Sequence, residues 1–380
     1  MLELKRFPTK TLGAAGATTT FANASYDQEF SGRTFDSINW RADGSISYPA
    51  NGGAASAENK YSAYRLMGTP ELNQAGEPLI RMEGVDWGYL SAYTNGSFPS
   101  YLDSTGSAAG AVEPNAYASA RIKLSRLVPG SYVNANLVKA FFRGSTGQLS
   151  TVGTQVDGAV QTVRPLAEAL EYNPPQNGFL RPRISQRSVA VSAADSNQQS
   201  LISVEQDLIY TGIMLSAYNG AAAAGSQTEV DGLVKSIRVE VTMPGKGTLE
   251  IINSDWGNLR DYSCQRSGLN STDVDNTAGT VVIPCTDKTN VKMGGALFVP
   301  AGSMFTITID SSGTAQSPYT NVAPALGDTV RITSLAFTPV AGAGDGSVQV
   351  TNVGRAGQAG VPGRDQRTAR MNRGRRGQRG

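Results

Sequence analysis

The chain has 380 residues, of which 17% are charged, 43 are glycine and none is histidine, and its formal net charge is +2. The chain has no histidine and so lacks the commonest general base and the usual zinc ligand. This makes hydrolytic or metal-based catalysis a less favoured interpretation. The length accommodates two units of roughly 150 residues, each large enough to bury its own core.

The first 30 residues are polar and small, and we expect them to form an extended arm. Residues 31–163 follow with short apolar runs separated by turn residues, which is the spacing of β-sandwiches and barrels. We therefore interpret this region as the first β-sandwich. Its candidate strands are 35–48, 61–67, 79–87, 118–127 and 132–142.

Residues 164–184 have the features of a connector between two units. Pro165 suits the first turn of a helix, and apolar residues at 166, 169 and 170 would share one helical face. Prolines at 174 and 175 would then end the helix. The sequence thus predicts a short connector helix and a unit boundary near residue 180.

Residues 185–345 carry the clearest strand signals. Apolar residues at 237, 239 and 241, and again at 305, 307 and 309, alternate with polar ones, which places one face of each strand in a core. A last strand near 330–337 shifts its apolar phase by one residue, which indicates a bulge. Each unit offers about eight strand candidates, so we predict an all-β fold of two tandem eight-stranded jelly rolls.

An internal repeat links the two units. The pattern D-W-G-x-L-x-x-Y occurs twice, 169 residues apart, in a chain that has only three tryptophans. Turn glycines at 76 and 245 share that offset, and Val-Pro turns at 128–129 and 299–300 nearly do. We interpret these landmarks as an internal duplication, although turn residues alone are common. The repeat residues are Asp86, Trp87, Gly88 and Tyr93 in the first copy and Asp255, Trp256, Gly257 and Tyr262 in the second.

The C-terminal segment 346–380 is rich in glycine and arginine. From residue 354 onward, eight arginines face one acid, for a local net charge of +7, so the rest of the chain is mildly acidic. Arginine without lysine favours bidentate contact with phosphate. We predict nucleic-acid contact by this tail; a solvated basic end, acidic partners and anionic lipid head groups stay open. The predicted contact residues are Arg364, Arg367, Arg370, Arg373, Arg375, Arg376 and Arg379.

No motif predicts an enzyme, a cofactor or a metal site. The stretch 244–248 has part of a phosphate-loop pattern but lacks its first glycine, and it fits a hairpin turn better. Carboxylates at 83 and 86, or at 255 and 261, have the residue types of a glycosidase pair. Because Asp86 and Asp255 recur with the repeat, we expect each to cap a turn while the following ring packs inward. Two cysteines, Cys264 and Cys285, are expected to be buried thiols, and a bridge between them stays open if their strands are neighbours.

Tandem β units of this size, with a polar arm, a short connector and a basic tail, resemble the double jelly-roll major capsid proteins of tailless, internal-membrane icosahedral bacteriophages. The resemblance is architectural and covers residues 30–345. It implies a homotrimer that assembles with other capsid proteins into an icosahedral shell, so the chain would be made in the host cytoplasm and reside in the virion. It also implies inward-facing termini, where the tail would meet the genome or an internal membrane.

Two other functions stay open on the sequence alone. One is a different virion component, namely a minor capsid, spike or tail-fibre protein. The other is a β-sandwich carbohydrate-binding protein or hydrolase, which would expose Trp87 and Trp256 as stacking platforms for sugar rings. Burial of the two rings distinguishes the structural function from sugar binding.

Overall fold

A computed structural model describes residues 3–6, 10–12, 25–30, 34–47, 61–65, 67–102, 112–135, 138–145, 158–169, 179–191, 198–203, 208–222, 227–285, 296–311 and 322–340. The strands in chain order are β1 Glu3–Arg6, β2 Lys10–Leu12, β3 Ser25–Phe30, β4 Thr34–Ser47, β5 Glu71–Gln74, β6 Glu77–Arg81, β7 Tyr101–Leu102, β8 Val112–Lys123, β9 Val133–Asn134, β10 Ala140–Ser145, β11 Gly158–Ala169, β12 Phe179–Ala190, β13 Gln198–Ser203, β14 Leu208–Tyr218, β15 Ser236–Met243, β16 Gly247–Asp255, β17 Thr280–Pro284, β18 Leu297–Val299, β19 Met304–Asp310 and β20 Thr329–Val340. The helices are α1 Ser62–Arg65, α2 Gly84–Asn95, α3 Leu124–Leu127, α4 Trp256–Ser267 and α5 Ser271–Asn276.

These strands form three sheets. The first sheet has the order β1-β11-β4-β8-β7, with β2 also on β11 and β9 on β4. The second, nine-stranded sheet has the order β17-β14-β20-β12-β6-β5-β10-β3, with β18 also on β14. The third has the order β13-β19-β15-β16. The described pairs are antiparallel except for β12 and β6, which run parallel where the second half of the chain joins the first.

Two hydrophobic cores lie on this framework. The first core contains rings and aliphatic side chains from β3 to β10 and from helices α1 to α3, and Ile184, Met214 and Leu335 extend it into the second half. The second core lies between the four-stranded sheet and the β14, β17, β18 and β20 part of the nine-stranded sheet. One continuous sheet therefore serves both halves. We call residues up to Ala169 the first half, residues from Phe179 onward the second half, and their contact the seam.

The mainly β architecture predicted from the sequence is confirmed, and so are the strands predicted from alternation at β15, β19 and β20. The predicted bulge lies on the partner strand: Tyr210 pairs with Ala336 and Gly212 with Leu335, which leaves Thr211 as the extra residue of β14. Residues 244–246 form the turn between β15 and β16, as expected for a hairpin. Residues 1–30, predicted as an arm, contribute β1, β2 and β3 to the sheets.

The predicted connector helix is wrong where the structure describes it. Residues 158–169 form β11, which pairs along its length with β4 and also with β1 and β2. Pro165 lies opposite Trp40 of β4. Long-range pairing thus overrides a local helical pattern. Residues 179–184, also assigned to the connector, begin β12.

Helices α2 and α4 replace the strand ends or turns expected around the two tryptophans. The predicted strand at 61–67 likewise contains helix α1. None of the helices in the described ranges is long and apolar enough to cross a membrane.

Candidate assembly site at the seam

The two repeat copies have the same local build. In each, a hairpin runs into a helix: β5 and β6 precede α2, and β15 and β16 precede α4. Each hairpin turn contains a glycine with positive φ, Gly76 at 82° and Gly245 at 72°, and each helix ends at a left-handed glycine. The predicted turn positions of Gly76 and Gly245 are therefore confirmed.

Both repeat tryptophans are fully buried, which is expected for a structural role and not for sugar binding. Trp87 packs edge-on against Phe142 in the first core, with ring centroids 5.9 Å apart. Trp256 lies in the second core, where its Nε1 donates to Asp231 at 2.8 Å. Neither ring is available as a stacking platform for a sugar. Each ring instead anchors the start of its helix to the core of its own half.

Gly88 follows Trp87 for a packing reason. A Cβ atom at this position would lie 2.9 Å from the ring of Tyr64, which is closer than such contacts occur. Tyr64 itself packs edge-on against Trp40 and donates a 2.7 Å hydrogen bond to the carbonyl of Ser119. The glycine therefore lets α2 lie against α1.

The two repeat aspartates have different roles. Asp255 is the N-cap of α4, and its Oδ1 accepts from the backbone N–H of Asn258 at 2.8 Å, which is the capping role expected from the sequence. Asp86 lies two residues inside α2, completely buried, and points into the seam. There it accepts hydrogen bonds from the Nε of Arg331 at 2.7 Å and from Nη2 at 3.2 Å.

Arg331 and Asp86 belong to a buried ionic cluster that joins the halves. Nη2 of Arg331 also donates to Glu229 at 2.5 Å, and the second Glu229 oxygen accepts from Arg65 at 2.8 Å. Asp86, Glu229 and Arg331 are almost inaccessible to solvent. Glu83, at the rim of the cluster, lies 3.4 Å from Arg331 Nη1. Two residues of α1 and α2 are thus paired with two residues of the second half.

Neutral polar groups complete the cluster. Gln186 donates to Asp86 at 2.7 Å, and Ser216 donates to the other Asp86 oxygen at 2.6 Å. Tyr89 donates to Glu229 at 2.9 Å. The ring of Tyr218 lies 5.1 Å from the Arg65 guanidinium and 5.3 Å from that of Arg331. Asp86 therefore accepts four hydrogen bonds on its two oxygens, which saturates them.

The electrostatics of the cluster favour the charged forms. Burial alone would raise the pKa of Glu229, but Arg65 and Arg331 together lower it to about 2. Burial alone would lower the pKa of Arg331, but Asp86, Glu229 and Glu83 raise it well above its usual value. Burial raises the pKa of Glu83. Removing one member would leave a buried charge without its partner, which is far costlier than losing a surface pair.

A second polar network crosses the seam between α2 and α4. The Tyr93 hydroxyl donates to the carbonyl of Thr280 at 2.6 Å and accepts from Arg260 Nη1 at 2.8 Å. Arg260 is buried, and its Nε lies 3.2 Å from Asp231, the acceptor for Trp256. Burial raises the pKa of Tyr93 to about 12. Tyr262, the repeat counterpart of Tyr93, is 47% exposed.

The buried carboxylates of the seam and the repeat aspartate of the second copy are engaged in contacts within the chain, whereas the side chain of Glu83 is 39% exposed. Asp86 is saturated, Glu229 is enclosed by two arginines, and Asp255 is engaged as a cap. Within the described ranges, no group of three or more Cys, Asp or Glu residues is placed to hold a metal ion. Cys264 and Cys285 are both free and buried, as the sequence suggested.

The most important seam residues, Arg331, Glu229, Arg65 and Arg260, were not among the residues predicted from the sequence. The sequence carries no signal for Arg331, because Val330 and Ile332 flank it in the alternation of a strand, which predicts a solvent-facing side chain at 331. Both faces of β20 are buried: Val330 and Ile332 enter the second core, whereas Arg331 faces the seam. The predicted arginines of the tail lie outside the described residues.

Comparison with solved structures places this fold among viral capsid proteins. The crystal structure of the STIV MCP matches with a TM-score of 0.59 at 14% identity, over 88% of this chain and 97% of that chain. A chain in the structure of Sulfolobus Turreted Icosahedral Virus matches with a TM-score of 0.58 at 15% identity, over 88% and 91%. The PBCV-1 virus capsid matches with a TM-score of 0.53 at 11% identity, over 89% and 94%.

The predicted resemblance to major capsid proteins is confirmed at the level of the fold. Each alignment spans nearly the whole of both chains, so both halves and their relative arrangement contribute to it. No family model and no curated protein sequence matches the chain.

Proposed function

We propose that this chain is a structural protein of a virus particle, namely the major capsid protein that assembles as homotrimers into an icosahedral shell. The observation that carries the proposal is fold similarity to the STIV MCP over 88% of this chain and 97% of that one. A protein of that role resides in the virion and is synthesised in the host cytoplasm. It needs no catalytic chemistry, because its work is to bury surface against its neighbours.

Within this proposal, the two halves are tandem eight-stranded jelly rolls related by duplication. The first spans about residue 31 to β11 and the second runs from β12 to about residue 345, with the boundary between Ala169 and Phe179. The paired hairpin-helix units around Trp87 and Trp256 support the duplication. Residues 1–30 act as an N-terminal arm that contributes strands, and residues 346–380 act as the basic tail.

The seam gives the chain the rigidity that a shell subunit needs. A stable contact between subunits buries at least about 1,200 Å² of surface, and such contacts are accurate only if the two sandwiches keep a fixed relation. Two buried arginines, Arg331 and Arg260, fix that relation from within. Lateral contacts with further copies and with other capsid proteins then act on one rigid body.

The basic tail would contact viral nucleic acid or anionic lipid head groups on the inner side of the shell. The seven arginines named above, from Arg364 to Arg379, are suited to bidentate phosphate contacts. If about six or seven of them neutralise phosphates on a single strand, the logarithm of affinity should fall with the logarithm of salt concentration with a slope of roughly −4 to −5.

A minor capsid, spike or tail-fibre protein is the nearest alternative, and it would form an isolated trimer. Sugar binding or hydrolysis has less support, because Trp87 and Trp256 are buried and Asp86 is saturated by hydrogen bonds. Exposed aromatic rings and an accessible carboxylate are the features such a function requires.

Sedimentation analysis of the purified full-length chain tests the proposal. We expect a trimer that converts to larger assemblies as salt and concentration are varied; a trimer that never associates further would favour the spike alternative. A version truncated after Val353 should still form trimers but lose salt-dependent binding of a single-stranded oligonucleotide. Unchanged oligonucleotide binding after truncation would contradict the role given to the tail.

A further inference from the structure

A pocket of about 160 Å³ lies on the seam beside the contact between α2 and α4. Its apolar lining comes from both halves: Leu90 and Leu127 from the first, and Val282, Pro284 and Leu335 from the second. Thr211, the extra residue at the bulge of β14, also lines it. Bulges often occur beside functional sites because they redirect a side chain.

The charged residues at this pocket are all of one sign. Arg126 and Arg266 line it, and no acidic residue does so in the part of the chain that the structure describes. Arg126 Nη1 donates to the carbonyl of Thr94 and to Asn95 Oδ1, both at 3.1 Å, which fixes the guanidinium at the end of α2. Arg266 lies in the last turn of α4. Two arginines thus line the pocket, and none of its lining residues carries a carboxylate.

Three of the pocket hydroxyls already donate elsewhere. Tyr93 donates to Thr280, Thr94 donates to Leu90 at 2.8 Å, and Ser263 donates to Val282 at 3.1 Å. A ligand therefore finds its strongest donors in the two guanidinium groups. Such donors favour a planar anion, because a carboxylate accepts two parallel N–H bonds from arginine.

We propose that the seam pocket binds a small amphipathic monoanion, an aromatic or short-chain carboxylate. Its charged end would meet Arg126 and Arg266, and its apolar part would cover Leu90, Val282 and Leu335. The size fits, because a cavity of about 150 Å³ is enough to hold benzene. A ligand in this position contacts both halves, so it stabilises the folded chain by RT ln(1 + L/Kd), where L is the free ligand concentration.

Binding to the full-length chain can be measured by saturation-transfer NMR and calorimetry with three probes. Benzoate carries both the charge and the ring, benzyl alcohol carries the ring alone, and inorganic phosphate carries the charge alone. We expect benzoate to bind about 10-fold or more tightly than either of the other two, since each charge-assisted bond and the buried ring contribute separately. Benzoate should also raise the melting temperature.

The double variant R126Q/R266Q should weaken benzoate binding about 10-fold to 100-fold. The matched control is Arg238→Gln, since Arg238 is a half-exposed arginine on the four-stranded sheet that pairs with Glu240 and Glu250. It should leave benzoate affinity unchanged.

Three results would overturn the proposal. The first is no saturation transfer from benzoate to the wild-type chain at millimolar concentration. The second is equal binding of benzyl alcohol, which would mean that the guanidinium groups recognise nothing. The third is equal binding of phosphate, which would mean that the apolar lining contributes nothing. These comparisons use the wild-type chain, so they hold even if the double variant fails to fold.

Discussion

The two copies of the D-W-G-x-L-x-x-Y pattern lie in similar local structures but contact different partners. In both, a hairpin precedes the helix and the tryptophan is fully buried. In the first copy, Asp86 and Tyr93 are buried in polar networks that cross the seam. In the second copy, Asp255 caps its own helix and Tyr262 is 47% exposed.

This difference separates what the pattern does locally from what one copy does for the whole molecule. The buried ring anchors the start of its helix in the core of its own half, and that role needs only the half to which it belongs. The aspartate and tyrosine of the first copy acquire partners in the second half, namely Arg331 and Arg260. If this comparison is right, matched substitutions in the two copies should have unequal effects.

The largest difference in unfolding free energy between the two copies is expected for substitutions of the aspartates. Asp86→Ala leaves Arg331 with one buried partner fewer and should cost about 3–5 kcal/mol of unfolding free energy. Asp255→Ala removes an N-cap and should cost about 1 kcal/mol. Urea unfolding of both variants, compared at constant m-value, measures the difference. Equal costs would show that Asp86 does not hold the seam.

The next largest effect is a pH dependence of the unfolding free energy that arises from Glu229. Its pKa is about 2 in the folded chain, below the ordinary value of 4.5, so its stabilising contribution is complete above about pH 4.5 and is lost as pH falls toward 2. Over that window, the shift corresponds to roughly 3 kcal/mol.

The variant Glu229→Gln isolates this contribution, because every other carboxylate titrates in both proteins. Its unfolding free energy should decline less steeply than that of the wild type between pH 4.5 and 2. Parallel curves for the two proteins would mean that Glu229 is not held as an ion by Arg65 and Arg331.

A smaller difference in unfolding free energy between the two copies is expected for substitutions of the tyrosines. Tyr93→Phe removes an acceptor from the buried Arg260 and a donor to the Thr280 carbonyl, and should cost about 2 kcal/mol. Tyr262→Phe alters a half-exposed residue and should stay within about 0.5 kcal/mol of the wild type. Thermal unfolding of the pair measures both. A larger loss of stability for Tyr262→Phe than for Tyr93→Phe would contradict the role of Tyr93 at the seam.

The smallest difference in unfolding free energy between the two copies is expected at the tryptophans. Here the substitution in the second copy is the more costly one. Trp256 Nε1 donates to Asp231, whereas Trp87 Nε1 has no hydrogen-bond partner among the described residues. Trp256→Phe should therefore cost about 1 kcal/mol more than Trp87→Phe, for a similar loss of packed volume. Denaturant unfolding monitored by far-UV circular dichroism is the suitable readout, because both substitutions remove a fluorophore. Equal losses of unfolding free energy would show that the Trp256 hydrogen bond contributes nothing beyond the packing of the ring.

Sequence reasoning recovered the parts of the fold that local pattern determines. The alternation at Ile237 and Phe305 predicted β15 and β19, and the shared offset of Gly76 and Gly245 predicted equivalent turns. It failed at Pro165, where a helical pattern lies in a strand because β1, β2 and β4 pair with it. Pairing partners about 110 to 170 residues away leave no local trace in the sequence.

The seam was beyond sequence reasoning for a related reason. Alternation in a strand predicts one buried and one solvated face, yet β20 is buried on both: Arg331 pairs with Asp86 of α2, and Thr333 accepts from Gln186 of β12. Only the arrangement of the two halves reveals that a charged residue there is enclosed. Asp86 was found through the repeat, but its partner was not.

Electron microscopy of the purified full-length chain tests the central claim, that one chain forms a rigid body of two cores for building a shell. We predict trimers that associate into hexagonal tiles or closed shells for the wild type and for Asp255→Ala, and far fewer of them for Asp86→Ala. A wild-type chain that stays a monodisperse monomer at every salt concentration would contradict the capsid proposal, and equal assembly of the two variants would contradict the role of the seam.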